Sequence, residues 1–168
     1  MSNENLSKLL GIKYPIFLSP MAGETNPLMV SEFCNAGGMG GIGCARMPPS
    51  EVASTVTNIR KLTDKPFNLN FFCFNDEFLH EVGVHSLPAK IRQVLGEKKI
   101  TLNNLKEKVN HFSFSKKMLS VLAKIKPAVV SFHFGPPSAA CINVLHDIGC
   151  TVLCTATSVS EAMYLVER

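Results

Sequence analysis

Two polar residues interrupt an apolar stretch near the carboxyl end of a predicted strand. The stretch AVVSFHFGPP, residues 128–137, is rich in Val and Phe and closes with a Gly and a Pro pair, which predicts a buried strand. Ser131 and His133 lie two positions apart, so they share one face of that strand. A hydroxyl and an imidazole can both hydrogen-bond a ligand. The residues predicted to face covering helices are Val130, Phe132 and Phe134.

Polar residues recur at the ends of the other predicted strands. Asn68 and Asn70 share a face of the strand predicted over Pro66 to Phe72, Ser19 ends an earlier one, and Thr155 lies near the end of the last. Each residue alone is more often a core or capping group. Four polar strand ends on one side of a sheet instead predict a ligand site, because barrels and open α/β sheets both bind ligands there.

The turn after the first predicted strand is built from small residues. In the sequence SPMAG, Ala22 and Gly23 leave room for the backbone to approach a flat ring closely; the alternative is an ordinary turn between a strand and a helix. The later run GGMGGIG places its glycines before and within a strand. A dinucleotide-binding loop needs them after the strand, opening a helix, so that interpretation is rejected.

The order of elements predicts an α/β fold of the (β/α) barrel type or an open doubly wound sheet. A strand followed by a helix recurs about five times, which indicates parallel strands covered by helices. Asn26 is predicted to cap the first of these helices, with Pro27 at its first position, and Ser50 to cap the second. Residues 74–110 are predicted to form a helical excursion outside the repeat, since ordinary connections are short. The predicted strands cover Pro15–Ser19, Met39–Ala45, Pro66–Phe72, Ala128–Phe134 and Cys150–Ala156.

Composition limits the classes of function. The chain has 168 residues, 46% hydrophobic and 18% charged, with a net charge of +4 and no long basic run; a folded core is expected and specific nucleic-acid binding is not. The six cysteines show no zinc-ligand spacing, so no metal site is predicted. Scattered cysteines and the lack of a long apolar run predict a reduced, cytoplasmic protein without membrane contact.

Five segments together resemble nitronate monooxygenases. They are YPIFLSPMAG, NAGGMGGIG, LTDKPFNLNFF, VVSFHFG and GCTVLCTATSVSEA, in the order that this family shows, from about Leu9 to Arg168. The resemblance implies a TIM barrel that binds FMN at its carboxyl-end face. Since such a barrel takes about 250 residues, residues 1–168 are expected to be its N-terminal part, with about five β/α units and an incomplete barrel. Pro136 stands where the family commonly has Leu, which would stiffen that loop.

The resemblance also implies roles for individual residues. The backbone of the turn over residues 20–23 would lie beside the flavin ring, and Asn70 would hydrogen-bond the flavin. His133 would be the catalytic residue in the substrate pocket, and His133 and Ser131, which share a strand face, would be the substrate-binding residues. The implied cofactor-binding residues are Pro20, Met21, Ala22, Gly23 and Asn70.

The reaction implied by the family is oxidation of alkyl nitronates by O2, giving a carbonyl compound and nitrite. The family's later GGH motif and phosphate-binding loops are not in this sequence. The chain alone is therefore expected to be weakly active or inactive, to bind FMN weakly or not at all, and to self-associate as a homo-oligomer. Two alternatives stay open: an NAD(P)H-dependent flavin reductase acting on a quinone or an enoyl thioester, and a non-catalytic truncated fragment.

Overall fold

The computed structural model describes residues 3–74, 88–98 and 113–167. Within these ranges, four parallel strands form one sheet and seven helices accompany them. The strands are β1 (Gly40–Gly43), β2 (Phe67–Phe72), β3 (Val129–His133) and β4 (Thr151–Cys154). The helices are α1 (Asn3–Leu10), α2 (Pro27–Asn35), α3 (Pro49–Arg60), α4 (Ala89–Glu97), α5 (Lys116–Ile125), α6 (Ala139–Asp147) and α7 (Val159–Val166).

Strand order distinguishes the two predicted architectures. The strands follow one another across the sheet in chain order, β1-β2-β3-β4, and every pair is parallel. A doubly wound sheet reverses its order at a switch point, whereas a (β/α) barrel adds each strand next to the previous one. The fold is therefore of the barrel type, with the barrel partly present.

One face of the sheet is packed against helices. Leu69 and Phe71 of β2 and Val130 and Phe132 of β3 are at most 2% exposed, and they form one apolar cluster with the helices. Burial of such side chains contributes roughly 1.5–3 kcal/mol each. The opposite face, called the inner face below, carries the alternate residues. The helix residues in the cluster include Val52, Val56, Ile59, Met118, Leu122 and Leu145.

The first predicted strand is reduced to a single parallel bridge, between Phe17 and Met39. The Met39 N–H donates to the Ile16 carbonyl at 2.8 Å, and the Leu18 N–H donates to the Met39 carbonyl at 2.9 Å. The segment lies beside β1, where a first barrel strand belongs. Pro15 and Pro20 flank it and have no N–H to extend the ladder.

Phe134 does not face the helices, and that prediction is wrong. β3 ends at His133, and Phe134 has a left-handed φ of 69° with 63% of its surface exposed. The period-two pattern stops at His133 because the backbone leaves the extended conformation there.

Two predicted helix starts have different outcomes. The Asn26 side chain accepts a hydrogen bond from the Met29 N–H at 3.0 Å, with Pro27 at the first helical position, which confirms that cap. The predicted Ser50 cap is wrong, because α3 already begins at Pro49 with Pro48 as its cap residue. A proline suits the first helical position, where no intrahelical N–H bond is lost.

The predicted excursion over residues 74–110 is described only in part. α4 lies inside it and carries no buried residue. Residues 75–87 and 99–112 lie outside the described residues, so the excursion stays a prediction.

The amino ends of the strands are closed on the inner face by a second apolar cluster. Leu10 of α1 packs there with Met39 and Val129, and each of these three residues is at most 3% exposed. In the described part of the chain, no helix is long and apolar enough to cross a membrane. Asn70, Ser131 and His133 of the inner face lie closer to the carboxyl ends of the strands than this cluster, whereas Asn68 pairs with Val129 in the register of β2 and β3.

Candidate functional site

The register of the parallel strands places the inner-face residues side by side, in rows that run across the sheet. Gly43 pairs with Asn70, and Asn70 pairs with Ser131. Phe72 pairs with His133 in the next row toward the carboxyl ends. Because parallel strands in register point matched side chains the same way, Asn70 and His133 lie on one face, as the sequence predicts.

Ser131 accepts hydrogen bonds from two asparagines. The Asn68 and Asn70 side-chain Nδ2 atoms each donate to Ser131 Oγ at 2.8 Å. Asn70 Nδ2 also lies 3.4 Å from the Ser131 carbonyl oxygen, which can only accept and so fixes the orientation of the Asn70 amide. Asn68 is 5% exposed and Asn70 is 1% exposed. With two donors on its oxygen, the Ser131 hydroxyl keeps its own proton for a further acceptor.

The Asn68 amide is only half satisfied. Its Oδ1 atom is buried and has no hydrogen-bond partner among the described residues. A buried polar atom without a partner costs about 1–3 kcal/mol, and in native structures such atoms usually meet water, an ion or a ligand. The inner face therefore has an unused acceptor beside the Asn70–Ser131 pair.

His133 is held by a residue from the neighbouring strand. Its Nδ1 atom lies 2.5 Å from the Thr155 hydroxyl oxygen. The Thr155 N–H donates to the Phe132 carbonyl at 3.1 Å, so the backbone that carries this hydroxyl is itself fixed. With Nδ1 engaged, the ring has Nε2 for a ligand.

The turn over residues 20–23 is closed by three hydrogen bonds to one oxygen. The Met21 carbonyl accepts from the Glu24 N–H at 3.1 Å, from the Thr25 N–H at 3.0 Å and from the Thr25 hydroxyl at 3.0 Å. Thr25 Oγ1 accepts from the Gly43 N–H at 3.4 Å. Thr25, only 5% exposed, thus connects the turn to the end of β1.

Gly43 makes this close approach possible. A Cβ atom at Gly43 would lie 2.7 Å from the Ala22 nitrogen and 2.8 Å from the Ala22 Cα, which are distances that real Cβ atoms do not adopt. Gly23 has a φ of 88°, and a Cβ placed there would meet no atom within 4 Å. The turn packs against β1 on one side and leaves the space at Gly23 open.

Some of the predicted site residues are in direct contact, and others lie further apart. Asn70 and Ser131 share a hydrogen bond, and Gly43 joins the turn over residues 20–23 to the row that contains Asn70. His133 lies one row further along β3 and bonds to Thr155 instead of to Ser131.

Sequence reasoning did not include Thr25 or Gly43 among the site residues, and it counted Asn68 among the polar strand-end residues without giving it a role in the site. The sequence does point to Asn68, because it lies two positions before Asn70 and therefore shares a strand face with it. Thr25 and Gly43 are 18 positions apart in the chain, and only the folded structure brings them together.

The buried thiols are not poised for chemistry. Burial raises the pKa of Cys44 to about 12, and burial likewise raises the pKa of Cys150 to about 12. A thiol is nucleophilic as the thiolate, so neither residue is an activated nucleophile. Cys44 follows β1 and belongs to the helix-covered core, away from the inner face.

Comparison with known families matches almost the whole chain. The sequence model of the nitronate monooxygenase family matches residues 3–168. The chain is 36% identical over 161 residues to a nitronate monooxygenase of Paraburkholderia phytofirmans, covering 94% of this chain and 43% of that protein. It is 32% identical over 165 residues to one of Pseudomonas aeruginosa, covering 95% of this chain and 46% of that protein. The chain spans less than half the length of these relatives.

Solved structures support the same architecture. A nitroalkane oxidase from Streptomyces ansochromogenes superposes with a TM-score of 0.68 at 26% identity, over 96% of this chain and 45% of that one. FabK from Thermotoga maritima superposes with a TM-score of 0.68 at 23% identity, over 97% of this chain and 40% of that one. The likeness to FabK concerns the fold alone.

Proposed function

The chain belongs to the nitronate monooxygenase family, and on this premise we propose that it forms part of a site where alkyl nitronates are oxidised by O2 with FMN. The products are a carbonyl compound and nitrite. The proposal rests on one observation. Asn70 and Ser131 are hydrogen-bonded in one row of the inner face, and His133 follows in the next row, at the end of the sheet where barrels bind ligands.

The described residues fit the ring of a flavin. The packing of Ala22 on Gly43 and the open space at Gly23 form a cradle of backbone against which a flat ring can lie. The unpartnered Asn68 Oδ1 indicates that the interior beside Asn70 needs a further polar group. When bound, FMN supplies the transfer of electrons from the nitronate to O2. The residues that would hold its ring are Pro20, Met21, Ala22, Gly23 and Asn70.

His133 is proposed to bind the nitronate anion. If the Thr155 hydroxyl donates to Nδ1, the imidazole carries its proton on Nε2 and presents an N–H donor. That donor fits a nitronate oxygen, and a donor fixed in advance stabilises negative charge without reorganisation during the reaction. The Ser131 hydroxyl proton, left unused by its two amide donors, is a second donor on the same strand.

The rest of the flavin is proposed to be held elsewhere. Barrels bind the phosphate of such cofactors with loops after their seventh and eighth strands, and this sheet has four strands in the described residues. The chain spans less than half the length of its relatives. We therefore propose that contacts to the phosphate come from the part of the family barrel that this chain does not contain, and that the chain alone is weakly active or inactive.

Binding measured by NMR tests this proposal directly. The 168-residue chain is titrated with FMN, with riboflavin and with ethyl nitronate. We expect both flavins to shift the amide signals of Ala22 and Gly23 and the side-chain amide of Asn70, with similar affinity, because the phosphate adds little. Ethyl nitronate should shift the His133 ring. Flavin shifts confined to other parts of the chain would contradict the proposed ring site.

An activity assay distinguishes nitronate oxidation from the alternative function, an NAD(P)H-dependent flavin reductase. Nitrite formation from ethyl nitronate with FMN and O2 is compared with flavin-dependent oxidation of NADH. We expect any turnover to be nitronate-dependent and to fall in a His133→Asn variant. Oxidation of NADH without a nitronate supports the reductase instead.

A further inference from the structure

A cavity of about 290 Å³ lies on the helix-covered side of the sheet. It opens between the loop that follows β1 and the amino end of α5, and Phe71 of β2 is one of its lining residues. Because Phe71 alternates with Asn70 along β2, the two side chains point to opposite sides of the sheet. Ligand pockets begin at about 300 Å³, so this cavity has the size for a small ligand that does not reach the inner face.

The interior of the cavity is apolar and contains aromatic rings and sulfur. Phe71 and Met118 are 2% and 7% exposed, and two more lining residues, Met47 and Phe114, are half-buried. The rings of Phe71 and Phe114 meet edge-on, with centroids 5.3 Å apart at 65°. Thioether sulfur and the edges of phenyl rings both make favourable contacts with a further aromatic ring. The interior therefore suits an aromatic ligand better than an aliphatic one.

Two cations border the same cavity. Arg46 and Lys117 are exposed lining residues, and neither forms an ion pair with another described residue. None of the described residues that line the cavity is acidic. Glu51 lies near the cavity without lining it: after burial, its charge contributes to raising the pKa of the Cys44 thiol. Positive charge above an apolar interior matches a ligand with an apolar body and one anionic group.

The two walls of the cavity are fixed by hydrogen bonds of the chain itself. In the loop after β1, the Met47 N–H donates to the Cys44 carbonyl at 3.0 Å. On the opposite wall, the Phe114 N–H donates to the Phe72 carbonyl at 2.8 Å, and the Ser115 side chain caps α5. A cavity with walls already held in place needs little ordering when a ligand binds.

We propose that this cavity is a second ligand site, which binds a small aromatic carboxylate with its ring between Met47 and Met118 and its carboxylate at Arg46 and Lys117. The site goes beyond the proposed function, since it uses neither His133 nor any other residue of the inner face. A guanidinium group can pair with both oxygens of a carboxylate. Exposed ion pairs are weak, so burial of the ring supplies most of the affinity and the two cations select an anion over a neutral ligand.

Methyl NMR on the full 168-residue chain tests the proposal, with benzoate as the probe. The chain is labelled at its seven methionine methyl groups, and the signals of Met47 and Met118 are assigned with Met47→Leu and Met118→Leu. We expect benzoate to shift both signals in a saturable way at pH 7. Acetate, which lacks the ring, and benzyl alcohol, which lacks the charge, should each bind at least about threefold more weakly. Cyclohexanecarboxylate, which keeps the charge but is not aromatic, should bind about twofold more weakly than benzoate.

Charge variants test the two cations at the edge of the cavity. Arg46→Gln and Lys117→Gln change exposed side chains, so both variants should fold, and each should weaken benzoate binding about 1.5-fold to fivefold. The double variant should lose the preference for benzoate over benzyl alcohol. Lys116→Gln is the matched control, because Lys116 is an exposed neighbour in α5 that does not line the cavity; it should change affinity less than Lys117→Gln does. Glu51→Gln removes a nearby negative charge and should strengthen benzoate binding.

Each outcome has a distinct meaning. If benzoate leaves the Met47 and Met118 signals unchanged, or if benzyl alcohol binds as tightly as benzoate, the proposed site is overturned. If Lys116→Gln weakens binding as much as Lys117→Gln, the attraction is a general effect of surface charge and the site is again overturned. Benzoate shifts confined to the His133 ring would place the anion on the inner face; they would overturn this second site and leave the proposed function intact.

Discussion

The side-chain amide of Asn70 donates to the Ser131 hydroxyl oxygen at 2.8 Å, across two strands whose register places these residues opposite each other. The same oxygen accepts from Asn68 at 2.8 Å. Asn70 is only 1% exposed, so neither a water molecule nor a different Asn70 rotamer can easily replace this hydrogen bond. The hydrogen bond therefore fixes the position of the Asn70 amide, which is proposed to hydrogen-bond the flavin. A change that breaks it should affect both flavin binding and the stability of the fold.

Replacing Ser131 by Ala should destabilise the fold. The change leaves a buried donor on Asn68 without an acceptor and weakens the bonding of Asn70, and an unsatisfied buried group costs about 1–3 kcal/mol. We expect the free energy of unfolding, measured in urea, to fall by about 2 kcal/mol. Ser120→Ala is the control, because Ser120 lies on the exposed face of α5 and donates only to the Lys116 carbonyl. Equal stability of the two variants would show that the shared hydroxyl does not matter.

Replacing Gly43 by Ala should displace the turn over residues 20–23. The new Cβ would lie 2.7 Å from the Ala22 nitrogen, a backbone atom that cannot rotate away, and overpacking of this kind costs about 1–3 kcal/mol. We expect a loss of stability of that size and a loss of flavin-induced shifts at Ala22 and Gly23. Gly96→Ala is the matched control, since a Cβ at Gly96 meets nothing within 4 Å. Its stability should stay the same or rise by up to about 1 kcal/mol. Unchanged stability in Gly43→Ala would mean that the turn is not tightly packed there.

Replacing Thr155 by Val should free the His133 ring. The hydroxyl bonded to Nδ1 is removed while the shape of the side chain is kept. In the unchanged chain we expect nitrogen NMR shifts of the neutral ring to show the proton on Nε2. In Thr155→Val they should show a mixture of tautomers, and ethyl nitronate affinity should fall about fivefold, as expected for the loss of about 1 kcal/mol from one hydrogen bond. A proton found on Nδ1 in the unchanged chain contradicts the proposed direction of this bond.

Local patterns predicted the faces of the strands and one helix start. The parity of Asn68 with Asn70 and of Ser131 with His133 follows from strand geometry alone. The Asn26 cap depends on residues within three positions of it. Such features need no knowledge of the rest of the molecule, and the structure confirms them.

Contacts between distant segments could not be predicted in this way. The left-handed φ of Phe134 accompanies ring contacts with Phe72 and Phe74 from a different strand end. The role of Gly43 depends on the turn that packs against it, about 20 residues earlier in the chain. The local rules are that side chains alternate along a strand and that a Gly weakens a strand. Neither rule predicts these two features, because both depend on tertiary packing.

The buried thiols should make the chain less stable at high pH. Burial raises the pKa of Cys44 to about 12, and burial raises the pKa of Cys150 to about 12, whereas an unfolded thiol titrates near its ordinary value of about 8.5. Between these pH values the unfolded chain loses protons that the folded chain retains. The free energy of unfolding therefore falls as pH rises, by at most about 1.4 kcal/mol per pH unit for each thiol, and is independent of these thiols below about pH 8.

A variant carrying both Cys44→Ala and Cys150→Ala isolates this effect. It should be somewhat less stable than the parent at pH 7, because each change leaves a small cavity. Its stability should then decline less steeply between about pH 9 and pH 11 in urea unfolding experiments. Tyrosines and lysines titrate in both proteins, so the difference between the two slopes belongs to the thiols. Parallel declines of the parent and the double variant would mean that water reaches the thiols at Cys44 and Cys150 in the folded chain.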